Sequence, residues 1–296
     1  MQEYSRRKSA SYLNLVRELP LHKVTVNAKT WTYIKTGNGE SAILFIRGMG
    51  ANSDIWWQQM AAFDMRYQVV SIDYPYEEDS QFLADGINLI LSKLKIAKIN
   101  IVANSYGGCL AQWFAEKYPE RVRSLVLANT YLPCYDVVSK YNKLLSILNY
   151  IPNWVMVKVF NKINADAMKR ELRNWHVATY MENKSARSVN KKELLAVSTS
   201  LKLAPDFKAF LLKDIPILII NSLDDRILED IYRSKIIAAY PSAGTHTFKY
   251  GGHFPYLVNP SEFNEAIGDF MHKVESVKSQ LPMDPTNNPL SPVMQH

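Results

Sequence analysis

Cysteine is scarce: Cys109 and Cys134 are the only two in 296 residues. Two thiols exclude a disulfide framework, a CxxC redox pair and a multi-cysteine zinc site, and they suit a reducing compartment. Long apolar runs are missing as well. No stretch reaches the ~18 uncharged apolar residues of a membrane-spanning helix. The opening Met-Gln-Glu-Tyr-Ser-Arg-Arg-Lys lacks the apolar centre of a signal peptide, so a cytoplasmic protein is expected. There is no GxxxxGK[ST] phosphate loop, and Gly48-Met49-Gly50 lacks the third glycine of a dinucleotide fingerprint. No cofactor and no metal are therefore expected. Apolar residues are not scarce: 47% hydrophobic against 21% charged excludes a wholly disordered or fibrous chain.

The formal charge of +7 invites an acidic partner. It is not spread evenly. Residues 133–205 hold 12 Lys+Arg against 5 Asp+Glu, and the remainder holds 23 of each. The whole excess lies in one segment. No recognised nucleic-acid motif accompanies it, so no nucleic-acid partner is expected.

Outside that segment the sequence alternates strand and helix. Lys23–Asn27 and Thr30–Lys35 alternate like a half-exposed antiparallel pair. Ala42–Ile46, Gln68–Ile72, Ile99–Ala103, Ser124–Ala128 and Ile215–Ile220 are short, almost wholly apolar runs, as buried parallel strands should be. Thr245–Lys249 is a last strand candidate. Helical patterns fall at Asp54–Phe63, Ser80–Leu94, Ser105–Lys117, Glu229–Tyr240 and Pro260–Val274. Such alternation predicts a mostly parallel sheet covered on both faces. Residues 133–205 hold only helical candidates: Val137–Leu148, Asn164–Met181 and Lys191–Leu201. They read as a helical cap inserted between two halves of a core, 1–132 and 206–276. The proline-rich residues 277–296 read as a disordered tail.

Ile101-Val102-Ala103-Asn104-Ser105-Tyr106-Gly107-Gly108 runs from an apolar strand through small-x-Ser-x-Gly into a helix. That is the shape of a nucleophile elbow, whose tight turn needs small side chains two places before and after the serine. The competing reading is a serine that merely caps a helix. A serine hydroxyl needs a base, and the base needs an orienting acid. Of six histidines, only His253 follows a strand within a flexible turn, Gly251-Gly252-His253-Phe254-Pro255. Two adjacent carboxylates, Asp224 and Asp225, follow the strand before it, and the residues alone do not separate them.

The order Ser, Asp, His on an alternating sheet resembles the α/β-hydrolase superfamily over roughly residues 20–275. The resemblance implies an α/β-hydrolase fold, a helical cap and a Ser105–His253–Asp225 triad. Asp225 is preferred because Ser222, Asp225 and Ile227 match a small-x-x-Asp-x-aliphatic loop. It also implies an oxyanion hole from the backbone N–H groups of Tyr106 and Met49. Where the superfamily usually has His-Gly, this chain has Arg47-Gly48. Arg47 either turns away to pair with a carboxylate or faces the pocket to bind an anionic substrate group, the first reading being preferred. Trp56 and Trp57, after the oxyanion loop, are candidate pocket residues. The cap aromatics are read as glue for the cap itself, Cys109 as simply buried, and Lys184, Arg187, Lys191 and Lys192 as a solvated face.

Within the superfamily the chain resembles the maspardins. The resemblance rests on Gly251-Gly252-His253-Phe254-Pro255-Tyr256-Leu257, the Leu19–Val24 lead-in, Tyr74-Pro75 and Leu110-Ala111-Gln112. Maspardins are regarded as binding proteins and carry Asn at the position of His253. The expected activity is a serine hydrolase acting on a small-molecule ester, thioester or amide. The alternative is a non-catalytic protein whose basic cap meets an acidic protein or an anionic membrane surface.

Overall fold

The computed structural model describes residues 19–134, 191–203 and 206–279, together with 150–152, 154–155, 158, 174 and 180. The apolar runs, the alternating N-terminal pair and the last strand candidate form the strands of one sheet. These are β1 (Leu21–Val26), β2 (Lys29–Thr36), β3 (Ser41–Ile46), β4 (Tyr67–Asp73), β5 (Ile99–Asn104), β6 (Val122–Ala128), β7 (Ile217–Ser222) and β8 (Gly244–Phe248). Their order is β1-β2-β4-β3-β5-β6-β7-β8. β2 pairs antiparallel with β1 and with β4, and all other pairs are parallel.

Strand period explains why the central strands β3, β5, β6 and β7 are almost wholly apolar, unlike the largely exposed edge strands β1 and β8. Successive side chains point to opposite faces, and both faces are covered. Leu44, Ile46, Ile101 and Ala103 enter one core, with Leu110, Trp113 and Phe114. Ile43, Phe45 and Val102 enter the other, with Trp56, Tyr256 and Phe263. The helices that cover them are α1 (Trp57–Phe63), α2 (Ser80–Lys93), α3 (Tyr106–Lys117), α4 (Lys191–Leu203), α5 (Asp230–Ala239), α6 (Pro255–Val258) and α7 (Pro260–Ser279).

Element boundaries differ from expectation where side chains or proline intervene. The helix expected over Asp54–Phe63 opens as a 3-10 turn, Ser53–Trp56, before α1. Asp73 accepts from both the Ser53 N–H and its hydroxyl, at 2.8 Å each, and so fixes where that turn starts. Pro260 lacks an N–H and disfavours helix at the residue before it, so α6 and α7 stay separate. Helix α7 runs on to Ser279, past the expected start of the tail at residue 277. The expected helices Val137–Leu148 and Asn164–Met181 lie largely outside the described residues, as does most of the tail.

Register sets the site. Ile46 pairs with Ala103, Asn104 with Ala128, and Ala128 with Ile220. The carboxyl ends of β3, β5, β6 and β7 therefore finish level with one another. The loops at Arg47–Gly50, Ser105, Asn129–Thr130 and Leu223–Asp225 leave the same edge of the sheet.

Candidate active site

Ser105 joins β5 to α3 with φ 54° and ψ −129°, a left-handed backbone that a serine rarely adopts. Its side chain makes no capping hydrogen bond to α3. The helix-cap reading is therefore set aside. Such a conformation costs roughly 1–3 kcal/mol and survives only where its surroundings impose it. Here the Ser105 N–H donates to the Ala128 carbonyl at 3.2 Å, and the Ser105 carbonyl accepts from Gly108 N–H at 2.8 Å. The Thr130 hydroxyl donates to that same carbonyl at 2.5 Å. Gly107 is required by close approach: a Cβ there would lie 2.4 Å from the Arg47 carbonyl oxygen. Residue 48 touches the elbow directly, since a Cβ on Gly48 would lie 3.0 Å from Ser105 Cβ. Among the described residues, no hydrogen-bond partner uses the backbone N–H of Met49 or of Tyr106.

His253 is buried, and its Nδ1 lies 2.8 Å from Asp225 Oδ2. That carboxylate is held on every side. Its Oδ1 accepts from the N–H groups of Ile227 and Leu228, at 2.8 and 3.0 Å, and its Oδ2 accepts from Asn129 Nδ2 at 2.7 Å. Burial pushes the Asp225 carboxyl up. The adjacent His253 and the hydrogen bonds from Asn129 and Leu228 outweigh burial and hold it below the ordinary carboxylate range. Asp224 has different work. Its Oδ1 accepts from the N–H groups of Gly251 and Gly252 at 2.9 Å each, anchoring the histidine loop by its backbone. The structure thus separates the two carboxylates that the residues alone left open. Gly252, at φ 56°, supplies the turn that carries the imidazole back over the sheet.

Two asparagines that sequence reasoning passed over join these pieces. Asn129 Nδ2 also donates to the Gly252 carbonyl at 3.0 Å, bridging the acid and the histidine loop. Asn104 Nδ2 donates to the His253 carbonyl at 3.2 Å and to the Ala128 carbonyl at 3.1 Å, tying the residue before Ser105 to the histidine. A signal existed: each is a polar residue at or just beyond the end of an almost wholly buried strand.

The candidate pocket residues are corrected in part. Arg47 is 2% exposed. Its Nε lies 2.8 Å from Asp73 Oδ1, and its Nη1 lies 3.0 Å from Glu193 Oε1 and donates to the Gly48 carbonyl at 3.0 Å. The guanidinium also stacks 4.3 Å from the centre of the Tyr74 ring. Carboxylates and a ring already occupy it, so it does not serve as an anion-binding group of a pocket. Trp56 is fully buried between Phe45 and Tyr256, with ring centres 5.1 and 4.0 Å away, and belongs to the core. Trp57 is half-buried against the same core. Cys109 is buried, and burial pushes its thiol well above its usual value, which makes it inert.

A serine on a left-handed turn between a buried strand and a helix, level with an Asp–His pair, invites comparison with known proteins. A family model described as alpha/beta hydrolase fold matches residues 41–260. The chain belongs to the alpha/beta hydrolase fold family. Among other members, maspardin of Danio rerio is 27% identical over 261 residues, covering 83% of this chain and 80% of that protein. A 2-hydroxy-6-oxononadienedioate/2-hydroxy-6-oxononatrienedioate hydrolase of Burkholderia vietnamiensis is 27% identical over 292 residues, covering 90% of this chain and 96% of that protein. A solved hydrolase of Pseudomonas aeruginosa shares the alpha/beta hydrolase fold, with a TM-score of 0.71 and 18% identity, covering 85% of this chain and 98% of that one. Among the described residues no helix is long and apolar enough to cross a membrane.

Proposed function

We propose that the protein is a serine hydrolase that cleaves a carboxylic ester, thioester or amide through an acyl-enzyme. One observation carries the reading: the 2.8 Å Asp225–His253 contact, in a loop that Asn104 ties to the residue beside Ser105. An ionised Asp225 makes Nδ1 the protonated ring nitrogen, so Nε2 is the basic one. His253 takes the Ser105 proton as Oγ attacks the acyl carbonyl. It returns that proton to the leaving group as the tetrahedral intermediate collapses. Water then repeats the sequence on the acyl-enzyme and regenerates Ser105. The Met49 and Tyr106 N–H groups face the oxyanion, each worth about 2.7–4 kcal/mol in other serine hydrolases. A serine nucleophile argues against the aspartate chemistry of dehalogenases and epoxide hydrolases. Residues 133–205 form the cap over the acyl site in this reading. Its first test is labelling by a fluorophosphonate and hydrolysis of short p-nitrophenyl esters. Both are expected in the native chain and absent in Ser105→Ala; labelling that survives Ser105→Ala overturns it.

The similarity to maspardin favours a second reading, a binding protein without turnover whose basic cap meets an acidic partner. Buried His253 beside Asp225 argues for turnover, because an elbow serine without its base is nearly inert. A native chain that neither labels nor hydrolyses decides for the binding protein.

A further inference from the structure

We propose that helix α4 is a working part of the oxyanion hole, and that Glu193 is a positioning residue which orients the Met49 N–H. This rests on the roles just given to Met49 and Tyr106. Glu193 is 3% exposed, and its Oε1 lies 3.0 Å from two donors, the Gly50 N–H and Arg47 Nη1. One carboxylate oxygen therefore grips the loop on both sides of Met49. The Arg47 end has a second effect. Arg47 Nη1 donates to the Gly48 carbonyl, and that carbonyl shares a planar trans peptide with the Met49 N–H. In a trans peptide the two groups point in opposite directions. Holding the Gly48 oxygen towards Arg47 therefore directs the Met49 N–H away from it, at a residue whose neighbour packs against Ser105.

The grip is anchored to the core. Asp73 holds Arg47 Nε, and the Tyr74 hydroxyl donates to the Arg47 carbonyl at 3.0 Å. The same helix reaches the other donor. Two turns beyond Glu193, Ser200 Oγ donates to the Val197 carbonyl at 2.8 Å and lies 2.8 Å from the Tyr106 hydroxyl, which donates to it. Helix α4 thus contacts both segments whose amides would meet the oxyanion. A helix that only covered the core would do so with apolar side chains, because a buried charge is expensive to hold.

The test uses the full chain with a p-nitrophenyl ester and amide hydrogen exchange. Glu193→Ala is expected to lower kcat about 10²-fold, with KM within about threefold, because the lost interaction acts on the transition state. Exchange across residues 48–52 should speed up. Glu193→Gln keeps an acceptor for Gly50 and should stay within about tenfold of the native kcat. Arg47→Met with Glu193→Leu replaces the buried pair by apolar groups, a change that generally preserves folding. Its kcat should remain low, because Gly48 O and Gly50 N–H have lost their partners. A folded double variant with native kcat overturns the proposal, as does unchanged exchange at residues 48–52 in Glu193→Ala. If the native chain shows no turnover and no fluorophosphonate labelling, the hydrolase reading fails, and exchange alone decides whether α4 holds the loop.

Discussion

Two buried acid–cation clusters flank the elbow, and they differ in what the cation can do. On one side Asp225 meets an imidazole; on the other Asp73 and Glu193 meet a guanidinium. Imidazole gains or loses a proton near neutral pH, whereas guanidinium keeps its charge at any pH the fold survives. The first cluster suits proton transfer, and the second suits holding a shape. They also differ in reach. Asp225 is held by loops leaving the sheet edge beside it. Arg47 is held partly by Glu193, a residue 146 positions along the chain. Similar electrostatics thus support different roles, and the type of cation decides which.

Asp225→Asn should lower kcat about 10⁴-fold on any ester the native chain turns over, because an amide cannot fix the tautomer that leaves Nε2 basic. Single-turnover kinetics check it, and a loss of tenfold or less would place both clusters in the same structural class. Arg47→Met should act on stability instead, costing about 3–5 kcal/mol in urea unfolding by stranding buried Glu193 and part-buried Asp73. Adding Glu193→Leu should recover the share of that loss that belongs to Glu193, while Asp73 stays without its guanidinium partner. Asn129→Ala should cost about 1–3 kcal/mol, since Asp225 Oδ2 and the Gly252 carbonyl both lose a donor.

The smallest effect is in pH. The folded Asp225 carboxyl lies below its ordinary value. It therefore contributes stability above the ordinary carboxylate range, which is lost as pH falls through the folded value. The unfolding midpoint of the native chain should drop through that acid window, and Asp225→Asn should flatten the drop. Parallel curves for the two proteins would mean that Asp225 is not the group holding the fold there.

Strands were the most legible part of the chain. Both sheet faces are buried, so β3, β5 and β7 read as almost wholly apolar runs whatever packs on them. Boundaries were less legible, because they depend on partners elsewhere: Asp73 starts the turn at Ser53, and Pro260 separates α6 from α7. Ser105 stood out as a polar residue in a small-x-Ser-x-Gly turn after an apolar strand, and His253 as the histidine that follows a strand within a glycine turn. Glu193 did not: nothing in the local pattern gave it a role, and its neighbours Lys191 and Lys192 read as part of a solvated face. Lys192 is indeed exposed, but Glu193 is buried one position away on the helix.

By itself the sequence determined the alternation, the parallel sheet and the order of serine, acid and histidine. These follow from local pattern and chain direction. The tertiary structure alone brings Asp225 rather than Asp224 beside His253, supplies Asp73 and Glu193 as the carboxylates that Arg47 turns to, and joins α4 to the loop at Met49. Each of those depends on where a side chain meets a group far along the chain. Strand register and packing set such meetings, and no local pattern encodes them.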